Sequence, residues 1–299
     1  MASAVVGRSR QIDRSAVAAL FPVAALVPFW LLALALMWLP LWLVTGVPYW
    51  VLPVGWLVAG LGLFVPSVQA LVLAPVFGAR KPDPEELAVI TPIWRDLAMA
   101  ANLPQYRYSI RVVDSDELNA FACGGHLLIV TSFALEELSS RELSGVLAHE
   151  LSHHLGLHTL ALTIGHWLSL PVLMLARIGF YLQNVARAAT DSFASHSAAL
   201  TAIGHIVAAI LNGVAWIFLA ALHASDAMSN VVAHGSEFEA DRRAVRMGYG
   251  RALADALRTV IRLGGGHRSA GWRGRLTTSH PPARTRVARI EAMLRHPSH

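Results

Sequence analysis

The sequence predicts a mostly helical α+β fold carried by a multi-pass membrane protein, with a polar domain of helices and a small sheet that a membrane hairpin interrupts. Three observations lead there. The 299 residues are 55% hydrophobic with a mean hydropathy of +0.50, more than a water-soluble domain of that length shows. Long apolar runs occur in two pairs. Between and after those pairs lie polar segments whose periodicity alternates between strand and helix.

The first run, Val17 to about Val44, has no charged side chain and exceeds the roughly 20 residues that a spanning helix needs. It is too long for a cleaved leader, and a second run follows almost directly. That second run, Val47 to Ala79, is also uncharged. Its Pro53, Gly55, Gly60, Gly62 and Pro66 do not forbid a membrane helix, because neighbouring helices satisfy freed backbone groups. Residues 17–79 are thus expected to form a hairpin of two spans behind a cytoplasmic tail, 1–16. A second hairpin is expected within 158–224, from the runs Leu160 to Leu182 and Leu200 to Leu222. His166 and His205 inside it are expected to be packed polar residues, not ligands. Arg8, Arg10 and Arg14 precede the first span, and Arg80 and Lys81 follow the second, so both flanks are expected on the cytoplasmic side.

The polar domain falls into two parts, 80–157 and 225–299. A helix is expected near Glu86 to Ala101, with alternating strand patterns at Tyr108 to Val113 and His126 to Thr131. The strand after Gly124-Gly125 is expected to be an edge strand, whose unpaired backbone groups can receive an extended chain. Ser139 and Glu142 form a Ser-x-x-Glu capping box, and Leu143, Val146, Leu147 and Leu151 give the following helix an apolar face. The Gly264 to Arg275 stretch, rich in Gly and Arg, reads as a loop.

That capped helix carries His149-Glu150-Leu151-Ser152-His153. Histidines four apart share one helical face and can reach one cation, while Glu150, one step round, can hold a water beside it. Zinc in such a site lowers the pKa of a water to about 7 and polarises a carbonyl, which is what amide hydrolysis requires. A catalytic zinc takes three protein ligands, and Glu237-Phe238-Glu239-Ala240-Asp241 offers the third. On a helix Glu237 and Asp241 share a face, so Glu237 can ligate while Asp241 orients a ligand from behind. The alternative is a solvated acidic turn followed by Arg242, Arg243 and Arg246.

Four blocks together resemble the membrane-embedded metallopeptidases of the HtpX and CAAX prenyl endopeptidase type. They are Asn119-Ala120-Phe121 with Gly124-Gly125, then His149 to His154, then Glu237 to Asp241, then Ser279-His280-Pro281-Pro282 with Arg286. The resemblance implies a zincin-like endopeptidase domain holding one Zn²⁺ per chain, with His149, His153 and Glu237 as ligands and Glu150 as general base. It also implies that Asn119, Gly124 and Gly125 line the substrate cleft, and that His280 or Arg286 steadies the oxyanion. Protein or peptide substrates and the lipid bilayer are the expected partners. The expected setting is a bacterial plasma membrane, with the site facing the cytoplasm and misfolded or membrane-associated proteins as substrates. A dedicated CAAX-type processing role is weaker, since those relatives carry more spans than this chain can contain. A silent zinc-stabilised sensor or adaptor is the alternative from another class; Glu150 argues against it, because a purely structural site has no use for a carboxylate aimed at water.

The net charge of +5 does not point to nucleic acid, because no basic motif is interleaved with aromatics; attraction to anionic headgroups accounts for it. Cys123 is the single cysteine, which excludes an intrachain disulfide and a zinc-thiolate site. It is expected to be a buried, inert thiol. His154 and His158 fall off the ligand face and are expected behind the site or at an interface.

Overall fold

A computed structural model describes residues 18, 20–156, 158–193, 197–263 and 281–296. The chain divides into two compact units, one of Met1–Ala19, Leu61–Thr163 and Asn230–His299, the other of Leu20–Gly60 and Ile164–Ser229.

The second unit is helical and apolar. It contains α1 (Leu20–Thr45), most of α2 (Val51–Gly62), and the facing parts of α7 (His158–Phe193) and α8 (Ala198–Arg246). Leu26, Trp30, Ala33 and Leu34 of α1 pack with Leu168, Val172 and Ala176 of α7 and Phe218 of α8. Trp56 and Trp167 stack at 4.7 Å and each donates its indole N–H to the other's backbone carbonyl, so neither donor is orphaned in apolar surroundings. Gly179 lies against Ala215 and Gly204 against Thr190, which makes α7 and α8 an antiparallel pair. Among the described residues, α1, α7 and α8 are long and apolar enough to cross a membrane. At 49 residues, α8 is more than twice the length a bilayer requires, and its C-terminal part extends past the apolar stretch.

Two details differ from the expectations. The second apolar run is not one straight helix, for α2 ends at Gly62 and the chain bends by 81° before Pro66–Val76, here α3. Pro66 has no N–H to continue the ladder and its ring clashes with the preceding turn. His166 and His205 are exposed, on the outward surface of the helices instead of packed between them.

The first unit holds the polar domain. Its sheet runs in the order β1 (Ala79–Arg80), β2 (Ser109–Val113), β4 (Leu127–Thr131), β3 (Ala120–Cys123). β2 and β4 are parallel, and β3 returns antiparallel to β4 through the Gly124-Gly125-His126 turn. Gly124 and Gly125 have φ of +69° and +135°, conformations that glycine adopts without a Cβ penalty. The strand expected at the edge, β4, is therefore interior, and β3 is the edge. All five β4 residues are buried, and such a continuous apolar run belongs to a strand covered on both faces.

Helix α4 (Pro84–Ala100) starts at a capping box between Asp83 and Glu86. Its Ile90, Ile93, Trp94 and Leu97 pack on Ile110, Val112, Leu128 and Val130 of the sheet and on Leu143, Leu147 and Leu151 of α6 (Ser140–Leu155). α5 (Ser132–Glu137) connects β4 to α6. α9 (Gly250–Arg262) and α10 (Ala283–Arg295) close the core through Leu253, Leu257 and Ile290. The opposite face of the sheet, through Leu127 and Ile129, packs on Ala74 and Leu73 of α3.

Candidate active site

Helix α6 presents the histidines because its start and its buried face are both set by sequence. Ser139 and Glu142 form the reciprocal capping box, and Leu143, Leu147 and Leu151 are fully buried. Gly145 lets α9 approach, since a Cβ there would come within 2.3 Å of the Leu253 nitrogen. At the other end, the Arg243 guanidinium donates to the Ser152 carbonyl at 3.1 Å, tying the last turn of α6 to α8. α6 also runs alongside β3.

The side chains of His149, His153 and Glu237 converge. The two Nε2 atoms are 3.2 Å apart, and the Glu237 carboxylate lies 3.3 Å from His149 Nε2 and 3.1 Å from His153 Nε2. Bonds of about 2.05 Å in a tetrahedron imply ligand atoms about 3.3 Å apart. The His149–His153 separation matches that edge, and Glu237 turns one oxygen toward each histidine, Oε2 to His149 and Oε1 to His153, so the donor set fits zinc in chemistry and lies within reach of one ion. All three residues are buried, and their ligand atoms lie within 4.8 Å of one another. Glu150, also buried, has its carboxylate 3.9 Å from His149 Nε2.

Asp241, one turn after Glu237 on α8, lies 2.9 Å from His149 Nδ1. A carboxylate only accepts, so Nδ1–H donates to it, and this contact turns Nε2 toward Glu237 and His153, where a bound metal would displace the Nε2 proton. Burial and the nearby Arg286 guanidinium oppose a proton on His149. The hydrogen bonds to Asp241 and Glu237 outweigh both and raise its pKa to about 9. Burial pushes the Asp241 carboxyl upward, but the bond from His149 and the charges of His149 and Arg286 win and hold it down to about 2.

Arg286 on α10 is 5% exposed and grips Asp241 with two bonds, Nη2 to Oδ1 at 2.7 Å and Nε to Oδ2 at 3.0 Å. Its Nη1 lies 3.4 Å from Glu237. Its Nη2 also lies 3.1 and 3.2 Å from His149 Nδ1 and Nε2, so the residue expected beside the oxyanion is packed against both carboxylates and the His149 ring. His280 lies outside the described residues, as does the Gly264 to Arg275 stretch.

Asn119 precedes β3, and its backbone N–H and carbonyl are both held by the Thr131 hydroxyl, at 3.1 and 2.9 Å. Thr131 also caps α5 through the Ala134 N–H. Gly124 and Gly125 sit at the far end of β3, so Asn119 and the glycines flank the edge strand from opposite ends. His154 is buried with Nε2 at 3.1 Å from the Leu127 carbonyl, which ties α6 to β4. Cys123 is half-buried and not fully buried as expected; the burial it has pushes the thiol up to about 12, consistent with an inert residue. Thr131 and the buried Gln69, which accepts from the His126 N–H at 3.1 Å, were not singled out by the sequence. Thr131 carried the faint signal of a hydroxyl at a strand-to-helix junction.

Residues 84–294 match the model of peptidase family M48. The chain belongs to this family. It is 28% identical over 288 residues to a protein described as "Protease HtpX homolog" from Sulfurihydrogenibium sp. (strain YO3AOP1), covering 82% of this chain and 91% of that protein. Its fold is similar to that in the crystal structure of S. mikatae Ste24p, with a TM-score of 0.50 and 17% identity over 86% of this chain. The match spans 61% of the Ste24p chain. For an M48 member, the His149, His153 and Glu237 cluster is the group that fits the family's metal, and the apolar helices make it a multi-pass membrane protein.

Proposed function

We propose that this M48 protein is a zinc endopeptidase that cleaves misfolded or membrane-associated proteins, with one Zn²⁺ held by His149, His153 and Glu237. The observation that carries the reading is the convergence of these three buried donors with Glu150 beside them. Zinc bound there supplies the charge that acidifies a water and polarises the scissile carbonyl. Glu150 takes the proton from the attacking water and passes it to the leaving amine. Asp241 keeps His149 in the tautomer that directs Nε2 forward. Arg286 acts on Asp241, Glu237 and His149 as a positioning residue, a role supported by its two bonds to Asp241 and its approach to the His149 ring, and His280 is the other residue proposed to steady the oxyanion. β3, flanked by Asn119 and by Gly124 and Gly125, receives the substrate as an added strand.

The site faces the cytoplasm of a bacterial cell, a reading supported by the arginines before the first apolar run and by Arg80 and Lys81 after the second. Quality control is favoured because an edge strand binds backbone and discriminates little between side chains. The test is a pair of membrane substrates in proteoliposomes, one folded and one destabilised by mutation. Selective cleavage of the destabilised partner, absent in Glu150→Gln, supports the reading; equal cleavage of both removes the quality-control role.

A further inference from the structure

The bent segment α3 turns one polar side chain inward and an apolar surface outward. Gln69 is 1% exposed and opens the π-helical turn Gln69–Leu73, a form that concentrates at functional sites. Its Nε2 donates to the Leu63 carbonyl at 2.9 Å, and its Oε1 accepts from the His126 N–H at 3.1 Å. The Leu63 carbonyl lies in the break before Pro66, where the helical ladder is interrupted. His126 closes the turn between β3 and β4. The same carboxamide packs against Gly124, where a Cβ would come within 2.7 Å of it. One side chain therefore joins the break in the apolar segment to the turn that ends the edge strand.

On its inner side, α3 packs on the sheet through Leu73 and Ala74. On its outer side Val65, Leu71, Val72 and Val76 are exposed, Leu71 at 77%. No charged residue occurs from position 17 to 79, and the chain enters α3 directly from apolar helices. Lipid is the occupant that suits an uncharged, outward apolar face continuous in chain with such helices.

We propose that α3 lies in the bilayer interface, that Gln69 ties it to the β3–β4 turn, and that the preferred substrate is therefore an extended segment close to where a chain leaves the membrane. A helix is about 10 Å across, a distance that about three residues of extended chain span. The inference rests on the proposed reading of β3 as the substrate strand.

Two measurements test it. The first places a cysteine at Leu71 in a Cys123→Ala background, attaches an environment-sensitive dye, and records quenching by brominated lipid in nanodiscs. Strong quenching is expected; a water-exposed dye overturns the seating. The second uses a transmembrane reporter whose cleavable segment is set about 5 to 40 residues from the bilayer by a flexible linker. The shortest linkers are expected to be cut fastest, with a decline of roughly twentyfold by the longest. Gln69→Leu keeps α3 apolar and removes the tie, so it is expected to lose rate on the short linkers more than on casein at unchanged zinc content. A ladder independent of length overturns the proposal, and equal losses on both substrates overturn the role of Gln69. Cleavage of neither casein nor any reporter by the wild type instead refutes the peptidase reading itself.

Discussion

Asp241 accepts a hydrogen bond from His149 Nδ1 across 2.9 Å, and this contact makes one histidine a directed ligand. With Nδ1 committed to donation, Nε2 points forward, 3.2 Å from His153 Nε2, and is the atom a metal would take. Asp241 in turn is held by Arg286, so three elements, α6, α8 and α10, fix one imidazole.

Asp241→Asn is expected to weaken zinc binding by about 10- to 100-fold while leaving the fold intact. A zinc competition titration with a chromophoric chelator checks it, and unchanged affinity would remove Asp241 from the arrangement.

Arg286→Met leaves Asp241 and Glu237 buried without their counter-charge. Breaking a buried pair from one side costs about 3–5 kcal/mol, which thermal unfolding of the metal-free protein in detergent reads directly. Arg286→Lys keeps the charge and loses the two-pronged grip on Asp241. It is expected to recover part of the stability and less of the zinc affinity.

Gly145→Ala puts a Cβ within 2.3 Å of the Leu253 backbone nitrogen, and backbone cannot yield as a side chain does. A loss of at least about 1–3 kcal/mol is expected, read as a lowered Tm with less zinc retained.

Glu142 supplies a pH dependence. Burial acts to raise its carboxyl pKa, but bonds from Thr259 and Ser139 and the charge of Arg262 outweigh burial and lower it. A carboxylate depressed in the folded state contributes stability that is present above its unfolded pKa and lost as pH falls through the folded one. The Tm of the wild type is expected to fall on acidification below the ordinary carboxylate range. Glu142→Gln is expected to be less stable at neutral pH and to show a shallower acid slope.

Much of the site was legible because its chemistry is local. His149 and His153 are one helical turn apart, Glu237 and Asp241 likewise, and the Ser139–Glu142 box announced the start of α6. What was not legible depended on contacts distant in sequence. β4 read as an edge strand because its parallel partner, β2, is separated from it by β3 itself, although its unbroken Leu-Leu-Ile-Val-Thr run carried the signal of an interior strand. β1 is only two residues long and has no periodicity to detect. The bend before Pro66 was hidden because apolar composition alone does not distinguish a straight span from a broken one. Arg286 was found by motif, yet its partners could not be, since they lie on another helix.

In the proposed mechanism His149, His153 and Glu237 hold one zinc while Glu150 moves the proton. The measurement that tests it most directly is zinc content and casein cleavage on wild type and Glu150→Gln purified side by side in detergent. About one zinc per chain is expected in both, with cleavage in the wild type alone. A Glu150→Gln protein that retains full activity would contradict it.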